Sequence, residues 1–499
     1  MESYWVKTTT RPSFPCLQEN IDCDICIIGA GITGIMTAYM LRESKFKICI
    51  IDKGEVCSGV TENTTAKITS EHGLIYKYLE DSFGLEFAKK YLESNEEAIN
   101  TIEEIINKEQ IECDFARTSN YIYTCKEEYI QRIKDEVETV NKLGLNAKFI
   151  EKATLPFKIK AGIEFPNQAK FHPLKYLYGI IEKIKDNNVQ IFTNSRVQDI
   201  ERNENSYSVK TDKNSIQAKY VVMATHYPIK NFPGMYFLKM YQDRSYAITI
   251  EPLEKFDEGM YLSAESPVAS FRPIDNDLLI IGGQDHKTGE NGMDLDVCYK
   301  SLETYAKEIF PQMKVKYRWS TQDCVSIDKV PYIGEFSNLM PNLFVATGYK
   351  KWGMTTSHVA AKIISDKILG VANEYQDIYK ATRLRPIKNY KEMGNMLRQS
   401  FYSLGINKLK RPKYKFEDLE NDEGGVVEYK GKKLGVYKDK NGKIFVVKPY
   451  CKHLGCELSW NNLEKTWDCP CHGSRYDYTG KLINEPSTKD LDVEFRDSP

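Results

Sequence analysis

Residues 22–34 read DCDICIIGAGITG. The apolar run from Ile25 to Ile28 predicts a buried strand, Gly29-x-Gly31-x-x-Gly34 follows at once, and Ile35 to Leu41 continue as a helix. A second apolar run, KICIID, ends on Asp52, 18 residues after Gly34. Strand, glycine turn, helix, strand and acid in that order form a βαβ unit for a dinucleotide. The glycines permit a tight turn and close pyrophosphate approach, the helix N-terminus faces the phosphates, and the acid takes a ribose hydroxyl. A lone glycine motif would equally suit an ordinary turn; the placement of the other parts argues against that.

Working outward, helical patterns over 91–107 and 127–143 alternate with strand-like runs. The helix LKYLYGIIEKIKD precedes a strand, a three-strand meander and a buried strand ending at Ala224-Thr225. More strands lie between Tyr246 and Gly283, and a buried strand, glycine loop and long helix follow Asn342. The expected fold is α/β, a Rossmann-type domain with an inserted antiparallel β substrate domain, followed by a small all-β domain. The expected boundaries are an arm over 1–20, the α/β unit over 21–370, a helical basic linker over 371–415 and the β domain over 416–499. Residues 383–415 carry ten Lys/Arg against one Glu, with Ile387, Tyr390, Met393, Leu397 and Phe401 at helical spacing. The plain reading is a docking helix with a solvated basic face; the sharper ones are attraction to an acidic electron-transfer partner or peripheral contact with anionic lipid.

The 499 residues hold 69 Lys+Arg against 70 Asp+Glu, a net charge of −1. That balance excludes nucleic acid as the main partner, and 12% aromatic residues exclude disorder. The first residues show no secretory signal, and the longest uncharged stretch, Ile25 to Leu41, is short of a membrane span. The expectation is a cytoplasmic chain without a transmembrane segment.

Nine of the 13 cysteines are scattered. The other four cluster with two histidines in Cys451-Lys452-His453-Leu454-Gly455-Cys456 and Cys469-Pro470-Cys471-His472-Gly473-Ser474-Arg475-Tyr476. Two loops that each offer one thiolate and one imidazole, Cys451 with His453 and Cys469 with His472, would suit a tetrahedral zinc. They also suit a Rieske [2Fe–2S] cluster, with cysteines on one iron and histidines on the other, and the CxHxGC and CPCHGS pattern favours the cluster. The remaining five histidines are dispersed, which argues against the mononuclear iron of a Rieske oxygenase.

At this point the chain resembles the FAD-dependent oxidoreductases of the D-amino-acid oxidase/glycine oxidase superfamily, in the bacterial subgroup fused to a C-terminal Rieske domain. The resemblance is carried by RPSFPCL (11–17), the glycine motif, GVTENTTAKITSEHGLIY (59–76), GGQDHKTG (282–289), IGEFS (333–337), ATGYKKWGMTTS (346–357) and the Rieske loops. It implies FAD, with Gly29, Gly31, Gly34 and Asp52 at the adenosine diphosphate part and Val197 contacting adenine through its backbone. Thr65, Ala66 and Lys67 would lie by the flavin, and Gly348, Gly353, Met354 and Thr355 would close the isoalloxazine side. Many relatives carry Glu where Asp52 stands; either acid serves the ribose. No cysteine outside the Rieske loops stands in a motif for covalent flavin attachment. The resemblance further implies a Cys456–Cys471 disulfide clamping the two loops, a proline loop at Pro486, and cluster tuning by the hydroxyls of Ser474 and Tyr476.

Superfamily enzymes oxidise a C–H bond next to an amine by hydride transfer to flavin. A carboxylate-bearing substrate would want an arginine with aromatic walls. Arg272 is the favoured candidate, with Tyr246, His286 and Lys350-Lys351-Trp352 nearby in the motifs; Arg272 could instead pair with Asp275. No catalytic base is expected. The expected function is an amine or amino-acid dehydrogenase that passes electrons singly through the cluster to an acceptor protein or quinone. The alternatives are an O2-using oxidase with a regulatory Rieske domain, and a redox sensor or electron carrier without a small substrate.

Overall fold

The computed structural model describes residues 2–185, 188–274, 277–289, 296–383, 412 and 414–496. Its first sheet runs in the order Tyr332–Ser337, Met340–Thr347, Ser215–Met223, Ile21–Ile28, Ile48–Ile51, Val189–Phe192. All neighbours are parallel except the first pair. Parallel strands are covered on both faces, which explains their unbroken apolar runs. Ile25, Ile27, Ile48 and Ile50 join the core under the helices Ile32–Leu41 and Gly353–Leu369. Their neighbours Cys26, Ile28, Cys49 and Ile51 join a second core with the hairpin residues Val197, Ile200 and Val209.

The expected meander differs in one respect. Its third strand and the buried strand are a single element, Ser215–Met223. Residues 215–218 pair antiparallel with Tyr207–Thr211, while the strand stays in parallel register with Ile21–Ile28 from Ile216 to Met223. Continuous pairing with the central strand leaves no reason for a break. The helices predicted over 91–107 and 127–143 occupy Leu85–Glu109 and Ile130–Lys142, the latter entered through a short 3-10 turn.

The second sheet has nine strands; Met240–Glu251, one in from its edge, pairs antiparallel with the edge strand Lys314–Ser326 and with Leu279–Lys287. The N-terminal arm joins this body. Its short helix Tyr4–Lys7 buries Trp5 completely, and the indole N–H donates to the Thr64 carbonyl at 2.7 Å.

The C-terminal domain is all-β, a five-stranded sheet and a four-stranded sheet with separate small cores. The amphipathic helix expected in 383–415 lies outside the described residues, apart from its first member. Arg383 corrects that reading: it is no part of a solvated basic face. Its guanidinium is buried and paired with Asp328, Nε to Oδ2 at 2.8 Å and Nη2 to Oδ1 at 2.9 Å. Among the described residues no helix is long and apolar enough to cross a membrane.

Candidate flavin cavity and cluster loops

The glycine turn is tied to its neighbours by backbone. A Cβ on Gly34 would sit 1.9 Å from the Gly29 carbonyl oxygen, and one on Gly29, at φ +112°, would sit 2.4 Å from that of Ala224. Only hydrogen fits at either place, so the chain leaves the strand and enters the helix Ile32–Leu41 directly. At the end of the next strand the Asp52 carboxylate accepts the N–H of Ala30 at 2.7 Å and of Gly54 at 2.8 Å. Burial nevertheless raises its pKa.

A cavity of about 750 Å³ opens at this turn. It is lined by Gly29, Gly31, Asp52, Thr65, Lys67, Val197, Gly348, Gly353 and Met354, nine of the residues expected beside FAD. Gly34, Ala66 and Thr355 stand behind the wall. The Thr355 hydroxyl is 3.2 Å from the Thr69 carbonyl and 3.2 Å from Nε2 of His72, and His72 in turn stacks on Trp352 at 5.0 Å. The helix Gly353–Leu369 begins at the cavity without a side-chain cap. Its first N–H groups would favour the negative charge of a flavin reduced there. A cleft with glycine turn, buried acid and two helix N-termini fits FAD.

The substrate candidates separate. Tyr246, Lys351 and Trp352 line the cavity; Arg272, His286 and Lys350 do not. Arg272 is buried behind it, donating to the Phe171 carbonyl at 2.5 Å with its guanidinium 4.9 Å from the Trp5 ring. Asp275 lies outside the described residues. The arginines on the cavity wall are Arg196, Arg244 and Arg475, none of which sequence reasoning offered as a substrate candidate.

Arg244 belongs to a buried cluster that crosses between domains. It pairs with Glu464 of the Rieske domain, which also pairs with Arg475, and Arg475 holds Asp468 at 3.0 Å. Burial works to raise Glu464, but the neighbouring charges of Arg244 and Arg475 outweigh it and hold the carboxyl down to about 2. Leu463, Glu464, Thr466, Arg475, Ile483 and Glu485 all line the cavity, so the Rieske domain forms one of its walls.

The cluster loops are built locally. Cys451 N–H donates to the Cys456 carbonyl and Gly455 N–H to that of Cys451, both at 2.8 Å. In the second loop Gly473 N–H donates to the Cys469 carbonyl at 2.9 Å. These turns bring His453 and His472 together, ring centroids 5.0 Å apart and perpendicular. Cys456 and Cys471 form a disulfide between the loops. Both nitrogens of His453 and Nδ1 of His472 are buried with no hydrogen-bond partner among the described residues. Burial lowers the two imidazoles to about 4 and about 3, the neutral form a metal ligand needs. A hydrogen bond from the Cys469 thiol, with others from Tyr476 and Ser474, holds Cys451 below the usual thiol range, down to about 6. The Tyr476 hydroxyl lies 3.5 Å from Cys451 Sγ, and Ser474 Oγ accepts Ser487 N–H at 3.0 Å, pinning the loop of Pro486. Two sulfurs and two neutral imidazoles, each with a buried nitrogen that has no partner among the described residues, fit a [2Fe–2S] cluster.

Fold and site together define a flavin oxidoreductase carrying a Rieske domain. Residues 24–367 match the family model for FAD dependent oxidoreductases and residues 412–494 that for the Rieske [2Fe-2S] domain, and the chain belongs to this FAD-dependent oxidoreductase family with a C-terminal Rieske domain. It is similar end to end to the Rieske 2Fe-2S iron-sulfur protein YhfW of Bacillus subtilis (strain 168), 38% identical over 98% of this chain and 97% of that one. The gamma-glutamylputrescine oxidoreductase of Escherichia coli (strain K12) is 23% identical over 75% of this chain and 90% of its own. Among solved structures, the L-proline dehydrogenase of P. horikoshii superimposes with a TM-score of 0.62 at 17% identity, covering 74% of this chain and 98% of that one. The protein is thus an oxidoreductase with FAD and a Rieske [2Fe–2S] cluster as its cofactors.

Proposed function

We propose that this protein is a dehydrogenase of an amine or amino-acid-like substrate that passes electrons one at a time through the Rieske cluster to an acceptor. When bound, FAD accepts the hydride pair and the cluster carries single electrons. In this reading Gly29, Gly31, Gly34, Asp52 and Val197 hold the adenosine diphosphate part. Thr65, Ala66, Lys67, Gly348, Gly353, Met354 and Thr355 shape the flavin side, and Cys451, His453, Cys469 and His472 hold the cluster. The domain limits stay at 21–370 and 416–499, with the arm and linker beside them.

One observation carries the reading. Gln322 lines the cavity, and its side-chain amide donates to the Gly473 carbonyl at 2.8 Å, beside His472. A single side chain therefore separates the flavin cavity from the cluster loop. An oxidase hands electrons directly to O2 and needs no such contact. The names of the two compared enzymes, one acting on gamma-glutamylputrescine and one on L-proline, favour an amine nitrogen in the substrate.

Stopped-flow mixing of the holoprotein with a panel of amines and amino acids under anaerobic conditions tests this. The flavin band should bleach first and the cluster band follow at a rate independent of substrate concentration. In a second run with dissolved O2, flavin reoxidation faster than transfer to the cluster would establish the oxidase alternative. Failure of every substrate to bleach the flavin would favour an electron carrier.

Lys67 adds a pH dependence to that experiment. Burial, together with the Arg272 charge, lowers its ammonium to about 7. Above that pH the neutral amine on the cavity wall can take a proton from a substrate ammonium; below it the group is already protonated. Flavin reduction should rise through about pH 7 and level off. Lys67→Met should remove that limb and slow reduction by roughly 10²-fold or more, with the rate taken per bound FAD.

A further inference from the structure

The histidine side of the cluster loops is largely covered: His472 is buried, and His453 is half-buried with both ring nitrogens hidden. Phe237, from the short turn Tyr236–Leu238 of the flavin domain, sets its ring 6.3 Å from that of His453 and 5.9 Å from that of His472. Beneath it Gln242 donates from one amide nitrogen to the His472 carbonyl at 2.7 Å and to the Glu485 carbonyl at 3.1 Å. Gln322 donates to the Gly473 carbonyl and to the Gln242 side chain, and Thr288 donates to Gln322 at 3.1 Å. All three polar residues are buried. The fit is close from both sides. A Cβ on Gly473 would lie 2.8 Å from the Gln242 Cβ, and one on Gly289 would lie 2.7 Å from the Pro470 nitrogen.

An imidazole that gives one nitrogen to iron has one left for a hydrogen bond. For His453 neither nitrogen reaches solvent, and neither meets a protein partner among the described residues. His472 is 3% exposed. A quinone reaching the cluster by hydrogen bonding would need one of these nitrogens.

We propose that Phe237, Gln242 and Gln322 form a docking site on the flavin domain for the histidine side of the Rieske loops, closing it to quinones, so that the acceptor takes electrons without touching either imidazole. The choice of acceptor rests on the dehydrogenase reading above; the docking does not.

The test uses the full-length, oxidised holoprotein without substrate. Diethylpyrocarbonate acylates imidazole nitrogens that solvent can reach, and peptide mass mapping reports each histidine. His453 and His472 should be at least tenfold slower to label than in Phe237→Ala, with FAD and iron content equal in both proteins. Gln322→Leu, which removes the bond to Gly473 but keeps the volume, should give intermediate labelling. In parallel, menadione, which the excess dithionite converts to its hydroquinone, should leave the EPR lines of the cluster in the reduced protein unmoved, and should shift them in Phe237→Ala. Labelling of His453 in the native protein at the rate of free N-acetylhistidine, or a menadione shift in its native spectrum, would overturn the proposal. Because neither measurement involves turnover, protected imidazoles in a protein whose flavin never reduces the cluster would sink the electron route while leaving the docking intact.

Discussion

His472→Ala is expected to remove the EPR signal of the reduced cluster entirely and to leave one FAD per chain. In the proposed reading the imidazole is one of the four cluster donors, and it is buried and held neutral, the form a metal ligand needs. The flavin residues belong to a different sheet, and the bond that docks this loop onto the flavin domain goes to the backbone carbonyl of residue 472, which alanine retains. Loss of the ring should therefore empty the cluster without releasing the domain. Iron analysis, flavin extraction and EPR of the dithionite-reduced protein measure the three parts separately. Stoichiometric zinc in the native protein would contradict the assignment. The same variant should still bleach its flavin with a working substrate yet turn over one-electron acceptors at least a hundredfold more slowly, which ties this result to the proposed electron route.

The second large effect concerns Glu464. Its carboxylate joins two arginines from different domains, with the Arg244, Arg475 and Glu464 side chains 3%, 7% and 11% exposed. Glu464→Leu leaves both cations buried, and Arg475 keeps Asp468 as its carboxylate, with Thr466 and Asn484 as neutral partners. Breaking one partner out of a buried cluster costs about 3–5 kcal/mol, a fall of on the order of 10 °C in the thermal midpoint. Replacing Arg244→Met as well should recover part of that loss, because it removes the stranded charge. The pH dependence has a definite sign. Glu464 titrates lower in the folded chain than in the unfolded one, at about 2 against an ordinary carboxylate near ~4.3. Its contribution should hold from neutral pH down to about 4 and fade as the pH falls toward 2. A native-minus-variant stability difference that shrinks above pH 5 would count against the ion cluster as its origin.

The parts legible in the sequence are those whose physics is local. Gly34 must be glycine because of a carbonyl five residues earlier. Each cluster loop brings its cysteine and histidine together through turns closed by backbone hydrogen bonds within five residues. The disulfide of Cys456 and Cys471, which the family resemblance implied, joins those turns. Spacing could therefore point to a dinucleotide site and to the cluster, the resemblance to FAD, and the apolar pattern to the α/β frame around them.

What tertiary structure decided are matters of facing and partnership across long separations. Arg272 stands on a strand in a promising motif, yet the sheet turns it toward Trp5 of the N-terminal arm, 267 residues away in sequence. Arg244 lies on the neighbouring sheet surface at the cavity and meets Glu464 across a separation of 220 residues. Arg383 counts with a basic run in composition but is buried on Asp328, 55 residues earlier. Gln242 and Gln322 carry no signal at all in the sequence, since an amide reads as ordinary polar residue until a second domain supplies the carbonyls it bonds. Charge pairing and hydrogen bonding are satisfied by whichever groups docking brings within 3 Å, and docking depends on the registry of whole sheets. The sequence by itself determined the cofactors and their local cradles; the way the two redox sites face each other came only with the packing of the domains.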